Sequence, residues 1–420
     1  MKSEAAHVSD FKRQLIEQYL GGDPRRSTAG EPLTSVRRRG DPPVTGRGRE
    51  FVLLRELSLQ DYPQVAALES QYGLGLQGYD QWSHVWLHNP AYQELQKNWP
   101  IGWVLVNDKK QIVGAHGNIP LLYEFRKKRI IAASGRGMVV DSRYRSYALW
   151  LLASFFDQKN AEICFDTTPS YEAARDNEVL GALRVPVGAW DRNVFWITNY
   201  RGCLSIWLKT KIPKQMWPMI GPLCLPLSAT LFLKDTLARP AVRKLRNGLV
   251  VEYCTAFDEG FDEFWEGLRT DYPDLLLAVR TREVLQWHFA YAILQNRLWI
   301  WRVKQDSRIA AYAVFLKTEN PKSGITRVSL VDFQALKANT GLVMPMLAAA
   351  LERCRKERVH LLENVGLSFG KSGINKFAPY QRRDWWWTYF YKARDKDLSD
   401  MLNSPRAWAP SLYDGDASIL

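Results

Sequence analysis

Apolar and polar positions along this chain follow one pattern twice, in residues 51–200 and again in residues 249–392. In the first run, Gly102-Trp103-Val104-Leu105-Val106 meets the polar turn Asn107-Asp108-Lys109-Lys110-Gln111 and returns as Ile112-Val113-Gly114-Ala115. In the second, Leu298-Trp299-Ile300-Trp301-Arg302-Val303 turns at Lys304-Gln305-Asp306-Ser307 and returns as Ile309-Ala310-Ala311-Tyr312. Apolar runs of strand length on either side of a polar turn predict a β-hairpin in each. Further on, Met138-Val139-Val140-Asp141 and Ser329-Leu330-Val331-Asp332 each predict a short strand closing on an aspartate, followed by a loop and a helix. Repetition on this scale predicts two lobes of similar build.

Around the first hairpin the pattern predicts a strand over 51–56, a helix carrying Val65, Leu68 and Tyr72, and a helix around 79–87. The latter ends before Asn89-Pro90, where proline disfavours helical continuation. Strands are expected over 121–125 and 130–141, a helix over 148–156, a strand over 162–166 and a helix within 170–180. The second run repeats this with a strand at 249–253, helices near 261–268 and 342–355, a strand at 359–363 and a closing aromatic strand, Trp385–Tyr391. Hairpins combined with a crossover helix make a mixed sheet. The expected fold is therefore α/β, with two lobes in tandem, each a mixed sheet flanked by helices. Lobe boundaries are expected at 51–205 and 249–395, with a basic arm over 1–50, a connecting segment over 206–248 and a tail over 396–420.

Composition narrows the partners. With 420 residues, 46% of them hydrophobic, the chain can bury full cores. Its five cysteines are scattered without a CxxC pair, which points away from zinc ribbons and disulfide frameworks. Met1-Lys2-Ser3-Glu4 opens no signal-like apolar stretch, so a cytoplasmic setting is expected. A formal charge of +13 favours anionic partners: a phosphorylated co-substrate, RNA or an acidic membrane surface. Residues 21–49, rich in Arg, Gly and Pro with Arg37-Arg38-Arg39 at the centre, are expected to be disordered.

The connecting segment is apolar and basic at once. Met216–Leu233 carries no charge, while Lys209, Lys211 and Lys214 precede it and Lys234, Arg239, Arg243, Lys244 and Arg246 follow. Pro218, Pro222 and Pro226 argue against a spanning helix, since an interior proline costs about 3 kcal/mol and removes a backbone donor. Burial between the lobes is the plainer expectation. The other is peripheral contact with the inner face of a membrane.

The segment Val140-Asp141-Ser142-Arg143-Tyr144-Arg145-Ser146-Tyr147-Ala148 resembles the acyl-CoA pyrophosphate loop of the GNAT acyltransferase superfamily, which runs strand, Arg/Gln-x-x-Gly-x-Gly/Ala, helix. Such a loop aims backbone N–H groups and a helix dipole at the pyrophosphate. Arg145 matches the leading basic position, whereas Ala148 and Trp150 stand where Gly and Gly/Ala are usual. The resemblance implies a cofactor-binding set of Val139, Val140, Arg143, Arg145, Ser146, Tyr147 and Ala148. Asp166-Thr167-Thr168-Pro169 and the helix to Gly181 resemble the superfamily's next segment, with Asn177 at the place of a tyrosine that often protonates the departing thiolate. Tyr171 or Tyr147 would have to substitute, or water would supply that proton. An amine attacking a thioester must also lose a proton, and Asp166, Asp141 and His116 are the candidate bases, in that order. His84 and His88 lack a third zinc ligand and read as structural, so no metal is expected.

The second run lacks this loop: Phe333-Gln334-Ala335-Leu336-Lys337-Ala338-Asn339-Thr340-Gly341 follows Asp332. Trp299, Trp301 and Trp385–Trp387 are expected to fill its core. As a whole the chain resembles a tandem GNAT-fold protein. That implies acyl transfer from acyl-CoA to an amine acceptor, without metal. Two other expectations remain open: aminoacyl transfer from tRNA, as in Fem-type enzymes, and a non-catalytic scaffold on degenerate lobes.

Overall fold

A computed structural model describes residues 51–75, 77–95, 99–187, 192–237, 250–321, 323–365, 378–383 and 389–419. The basic arm and Trp385–Trp387 lie outside the described residues. The first run of elements is β1 (Val52–Glu56), α1 (Tyr62–Gln71), α2 (Tyr79–Leu87), α3 (Pro90–Leu95), β2 (Gly102–Asn107), β3 (Ile112–Phe125), β4 (Lys128–Val140), α4 (Ala148–Phe156), β5 (Ile163–Asp166), α5 (Tyr171–Val179), β6 (Leu183–Arg184) and β7 (Arg192–Ile197). Helices α6 (Tyr200–Lys211) and α7 (Ile220–Leu237) follow. The second run is β8 (Val250–Cys254), α8 (Gly260–Asp271), β9 (Leu277–Ala278), α9 (Arg282–Leu294), β10 (Leu298–Gln305), β11 (Arg308–Glu319), β12 (Thr326–Ala335), α10 (Val343–Lys356), β13 (Leu361–Val365), β14 (Tyr380–Arg383), β15 (Phe390–Ala393) and α11 (Lys396–Leu402).

The predicted repeat is there: two mixed sheets, each with one parallel pairing, β4 with β5 and β12 with β13. Turn chemistry sets the register of the hairpins. Arg126 and Lys127 both adopt positive φ, as do Asp306 and Ser307, which is the backbone a two-residue hairpin turn requires. The strands expected separately at 121–125 and 130–141 prove to be halves of one long hairpin. Strand β3 is continuous over 14 residues, Ile112 to Phe125.

The sheets do not keep to the sequence halves. Strand β7 pairs with β13 and β14 in the second sheet, and β15 lies between β5 and β6 in the first. Each lobe therefore holds a strand from the other's stretch of chain. Additional ties reinforce this, since β9 adds to the edge of β3 with Tyr123 opposite Ala278. Between α2 and α9, His84 Nε2 donates to the Trp287 carbonyl at 2.9 Å and Trp287 Nε1 donates to that of His84 at 3.3 Å. One apolar cluster runs through both lobes, from Trp86 and Ile119 to Phe261 and Leu285.

Three expectations need correction. Residues after Asp395 are not a loose tail: α11 forms, and Trp408, Leu412, Tyr413 and Ile419 join the shared core. Asp332 does not end its strand, because β12 continues to Ala335. It is fully buried, accepting from Arg280 Nε at 2.9 Å, Tyr312 Oη at 2.7 Å and Ser411 Oγ at 3.0 Å. The connecting segment is not buried between the lobes either, as α6 and α7 form a helical pair with much of its apolar surface exposed. Trp299, by contrast, fills the second core as expected, with the Arg353 guanidinium 4.4 Å above its ring.

Candidate active site

Strand β4 changes character beyond Ser134. Its pairing to β5 stops at Ser134 opposite Phe165, yet β4 continues to Val140. On its other side, Gly117 pairs with Arg136 and Ala115 with Val139, so Gly137 and Met138 together oppose the single residue His116. This is a β-bulge, and Gly137 at φ 59° supplies the left-handed residue it needs. A side chain at Gly137 would also displace Glu69 Oε1, 2.9 Å from where its Cβ would sit. The bulge and the lost pairing open the sheet between β4 and β5, with Asp166 at the end of β5.

Asp166 Oδ2 accepts from Asn177 Nδ2 on α5 at 2.7 Å. Burial pushes its carboxyl up to about 6, against the lowering effect of the Asn177 bond, and nearby Asp416 raises it further. The group is thus protonated in mild acid and charged at neutral pH, as a general base should be. Asn177 is fully buried and serves as the holder of this carboxylate, not as a replacement for a tyrosine acid.

The other candidate bases fare differently. Asp141 caps the turn that follows β4, accepting from the Arg143 backbone N–H at 3.0 Å and from Arg143 Nη2 at 3.0 Å. The Arg143 side chain holds its carboxyl below the ordinary value, so it is a weaker base than Asp166. His116 is buried under Phe155 of α4, and burial drives its imidazole down to about 4. It is neutral at physiological pH and weakly basic. Tyr171, at the start of α5, is 72% exposed, and the structure gives it no contact with Asp166.

Residues 142–147 form 3-10 turns that run directly into α4. Without glycine, every residue of this segment stays on the right-handed side of backbone space, so a helical turn forms where an open loop was expected. Three leading N–H groups are used within the protein: Ser142 donates to Tyr72 Oη at 2.9 Å, Arg143 to Asp141, and Tyr144 to the Asp141 carbonyl at 2.8 Å. Donors toward an anion are then mainly side chains. Arg145 and Ser146 are exposed, Tyr147 is half-buried, and Ala148 opens the helix. Val139 is buried in the core while Val140 and Arg143 flank the turn, with Arg143 committed to Asp141. The Trp150 indole is 46% exposed and packs edge-on against Tyr147.

Sequence reasoning missed a second acidic side chain near Asp166. Thr167 Oγ1 donates to Asp416 Oδ1 at 2.7 Å, bringing the C-terminal stretch to the end of β5. Gly415, at φ 135°, allows this, since a Cβ there would lie 2.3 Å from Thr167 Cγ2. Arg136 and Glu69 interact on the α1 side, where burial raises the Glu69 carboxyl and Arg136 partly offsets it. The available signals were Gly135-Arg136-Gly137, a charge between glycines inside a strand, and the apolar residues around Asp414-Gly415-Asp416. Among the described residues, no group of three or more His, Cys, Asp and Glu side chains is placed to hold a metal ion.

No family model matches the chain, and no curated protein does either. Among solved structures, it is similar to Saccharomyces cerevisiae N-myristoyltransferase with bound myristoyl-CoA, at 12% identity and TM-score 0.49 over 81% of this chain and 79% of that one. A GCN5-related N-acetyltransferase from Anabaena variabilis matches at 10% identity and TM-score 0.47, covering 82% of this chain and 73% of that one. A probable N-acyltransferase from Enterococcus faecalis matches at 9% identity and TM-score 0.48, covering 82% and 72% respectively. Likenesses this distant carry no argument about the reaction. The chemistry has to come from the residues around Asp166.

Proposed function

We propose that the first lobe is an acyltransferase site, in which an amine is acylated from an acyl-CoA thioester at the opening between β4 and β5. The observation that carries this is the conjunction at one place of a bulged, unpaired strand end, a half-buried carboxylate with its pKa raised to about 6, and a cationic turn leading into α4. Arg145 and Ser146 would hold the pyrophosphate, aided by the positive end of α4. The unpaired edge of β4 offers backbone donors toward a thioester carbonyl, the type of preorganised polarisation that lowers acyl-transfer barriers.

The amine nitrogen forms the new C–N bond as the C–S bond breaks, and the electron pair leaves on the thiolate. Asp166, directly or through one water, takes the proton released by the ammonium nitrogen. The thiolate takes a proton from water, since Asn177 occupies the place of the usual acid and Tyr171 faces solvent. Asn177 keeps the Asp166 carboxylate oriented for this exchange.

Calorimetric titration of the dialysed protein with CoA and with acyl-CoA tests the reading. Binding is expected, and Arg145→Glu should weaken it at least tenfold, which is about 1.4 kcal/mol. Unchanged affinity in that variant would place the pyrophosphate elsewhere. No heat with any acyl-CoA, together with salt-sensitive retention of tRNA, would replace this reading by aminoacyl transfer. Silence toward both would leave a scaffold.

A further inference from the structure

The helical pair α6–α7 has an apolar face that the protein does not cover. The 20-residue stretch Lys214–Leu233 is long and apolar enough to cross a membrane, and only 17% of it is buried. Its buried side is well defined. Ile220, Cys224 and Leu231 pack on Leu204 of α6, and Asp235 at the end of α7 accepts from Tyr200 Oη at 2.7 Å and Tyr380 Oη at 2.5 Å. Helix α7 is thus fixed to α6 and to the second sheet by one side, while its other side and the turn before it present Trp217, Met219, Leu223, Leu225, Phe232 and Leu233, each between 38% and 58% exposed.

Charge shows what this face meets. From Arg192 to Lys234 the sequence has no acidic residue. Arg201, Lys209, Lys211 and Lys214 are exposed along α6 and the turn into α7. An exposed apolar strip bounded by cations matches the surface of a bilayer containing anionic lipid: acyl chains for the strip, headgroups for the charges. Trp217 beneath Lys209 Nζ, 5.6 Å from its ring, has the amphipathic character of an interfacial anchor. Spanning is disfavoured on two counts. Pro226 lies inside α7 and removes a backbone donor, and crossing would break the Asp235 bonds and expose Cys224 and Leu231.

We propose that α6 and α7 dock the protein in the plane of an anionic membrane surface, with α7 lying in the interface instead of crossing it. The acyl-transfer reading is not needed for this and does not stand or fall with it.

Full-length protein is floated with vesicles of phosphatidylcholine alone and of phosphatidylcholine with one-quarter phosphatidylglycerol. Retention is expected on the anionic vesicles, weaker on the neutral ones, and falling as salt is raised. The triple variant Leu223→Glu, Leu225→Glu, Leu233→Glu should lower retention on anionic vesicles at least tenfold. Because all three positions are exposed, its melting temperature should match the parent's. Lys209→Glu with Lys211→Glu should remove the preference for anionic vesicles while leaving the melting temperature unchanged. Absence of retention on both vesicle types would overturn the proposal, as would retention that the triple variant leaves intact. A third outcome would overturn it too: light scattering that shows a dimer dispersed by the triple variant, without vesicle retention, would make this face a self-association surface.

Discussion

Asp166 carries two opposite pH effects that can be measured separately. Its carboxyl is held at about 6 in the folded chain against an unfolded value of 3.8, so the folded state binds the extra proton between those values. Stability from this group is present in acid and is lost as pH rises toward 6. Activity runs the other way, because only the ionised group can accept a proton. We therefore expect kcat/KM for acyl transfer to rise through an apparent pKa near 6, and Asp166→Asn to abolish both the limb and most of the rate. The same variant should melt at a higher temperature than the parent at pH 8 and at about the same temperature at pH 4. A variant that melts lower at pH 8 would show that the ionised carboxylate is stabilising. His116 works with the opposite sign: its imidazole is depressed to about 4, so it favours the folded state at neutral pH and withdraws that support as pH falls from 6.5 toward 4.

At the scale of elements, the buried ion cluster around Arg280 is the most exacting junction. Arg280 follows β9, Asp332 lies within β12 and Asp414 belongs to the C-terminal stretch, so three distant pieces of chain meet on one guanidinium that is 1% exposed. Arg280 offsets the burial of Asp332 and holds its carboxyl low, while burial dominates at Asp414 and raises it. Arg280→Met would leave two carboxylates buried without a counter-charge, a loss of about 3–5 kcal/mol at neutral pH. Urea unfolding checks this, and the loss should shrink at pH 5 as the carboxylates take up protons. This junction also shows what the sequence made legible. Apolar periodicity located most helices and strands, since burying one face is a local requirement. Asp166 was found because it ends an apolar run. Arg280, Asp332 and Asp414 are over a hundred residues apart at their extremes, and no local pattern marks charges that become buried only by meeting. Asp416 was missed for the same reason, and the closed turn at 142–147 because three neighbouring groups consume its N–H donors.

For the whole molecule, the exchanged strands make the two lobes one cooperative unit. Strand β15 is the partner of both β5 and β6, and β7 the partner of both β13 and β14. A fragment ending at residue 237 would have β5 as an open edge, β6 unpaired and β7 without a sheet. Such a fragment should lack a sharp thermal transition by circular dichroism, and the complete chain should show a single one. A sharp transition in the fragment would mean that the first lobe closes its sheet without β15.

The exchange also bears on how the molecule is made. A ribosome delivers β5 and β6 long before the four residues that join them, Phe390–Ala393. Until then the first sheet waits with an edge exposed, and the acidic stretch that reaches Thr167 has not yet been made. The ionisable groups around the candidate site are thus assembled only after both lobes have been made, so a product truncated before Asp416 would contain the turn at Arg145 without the completed opening beside it.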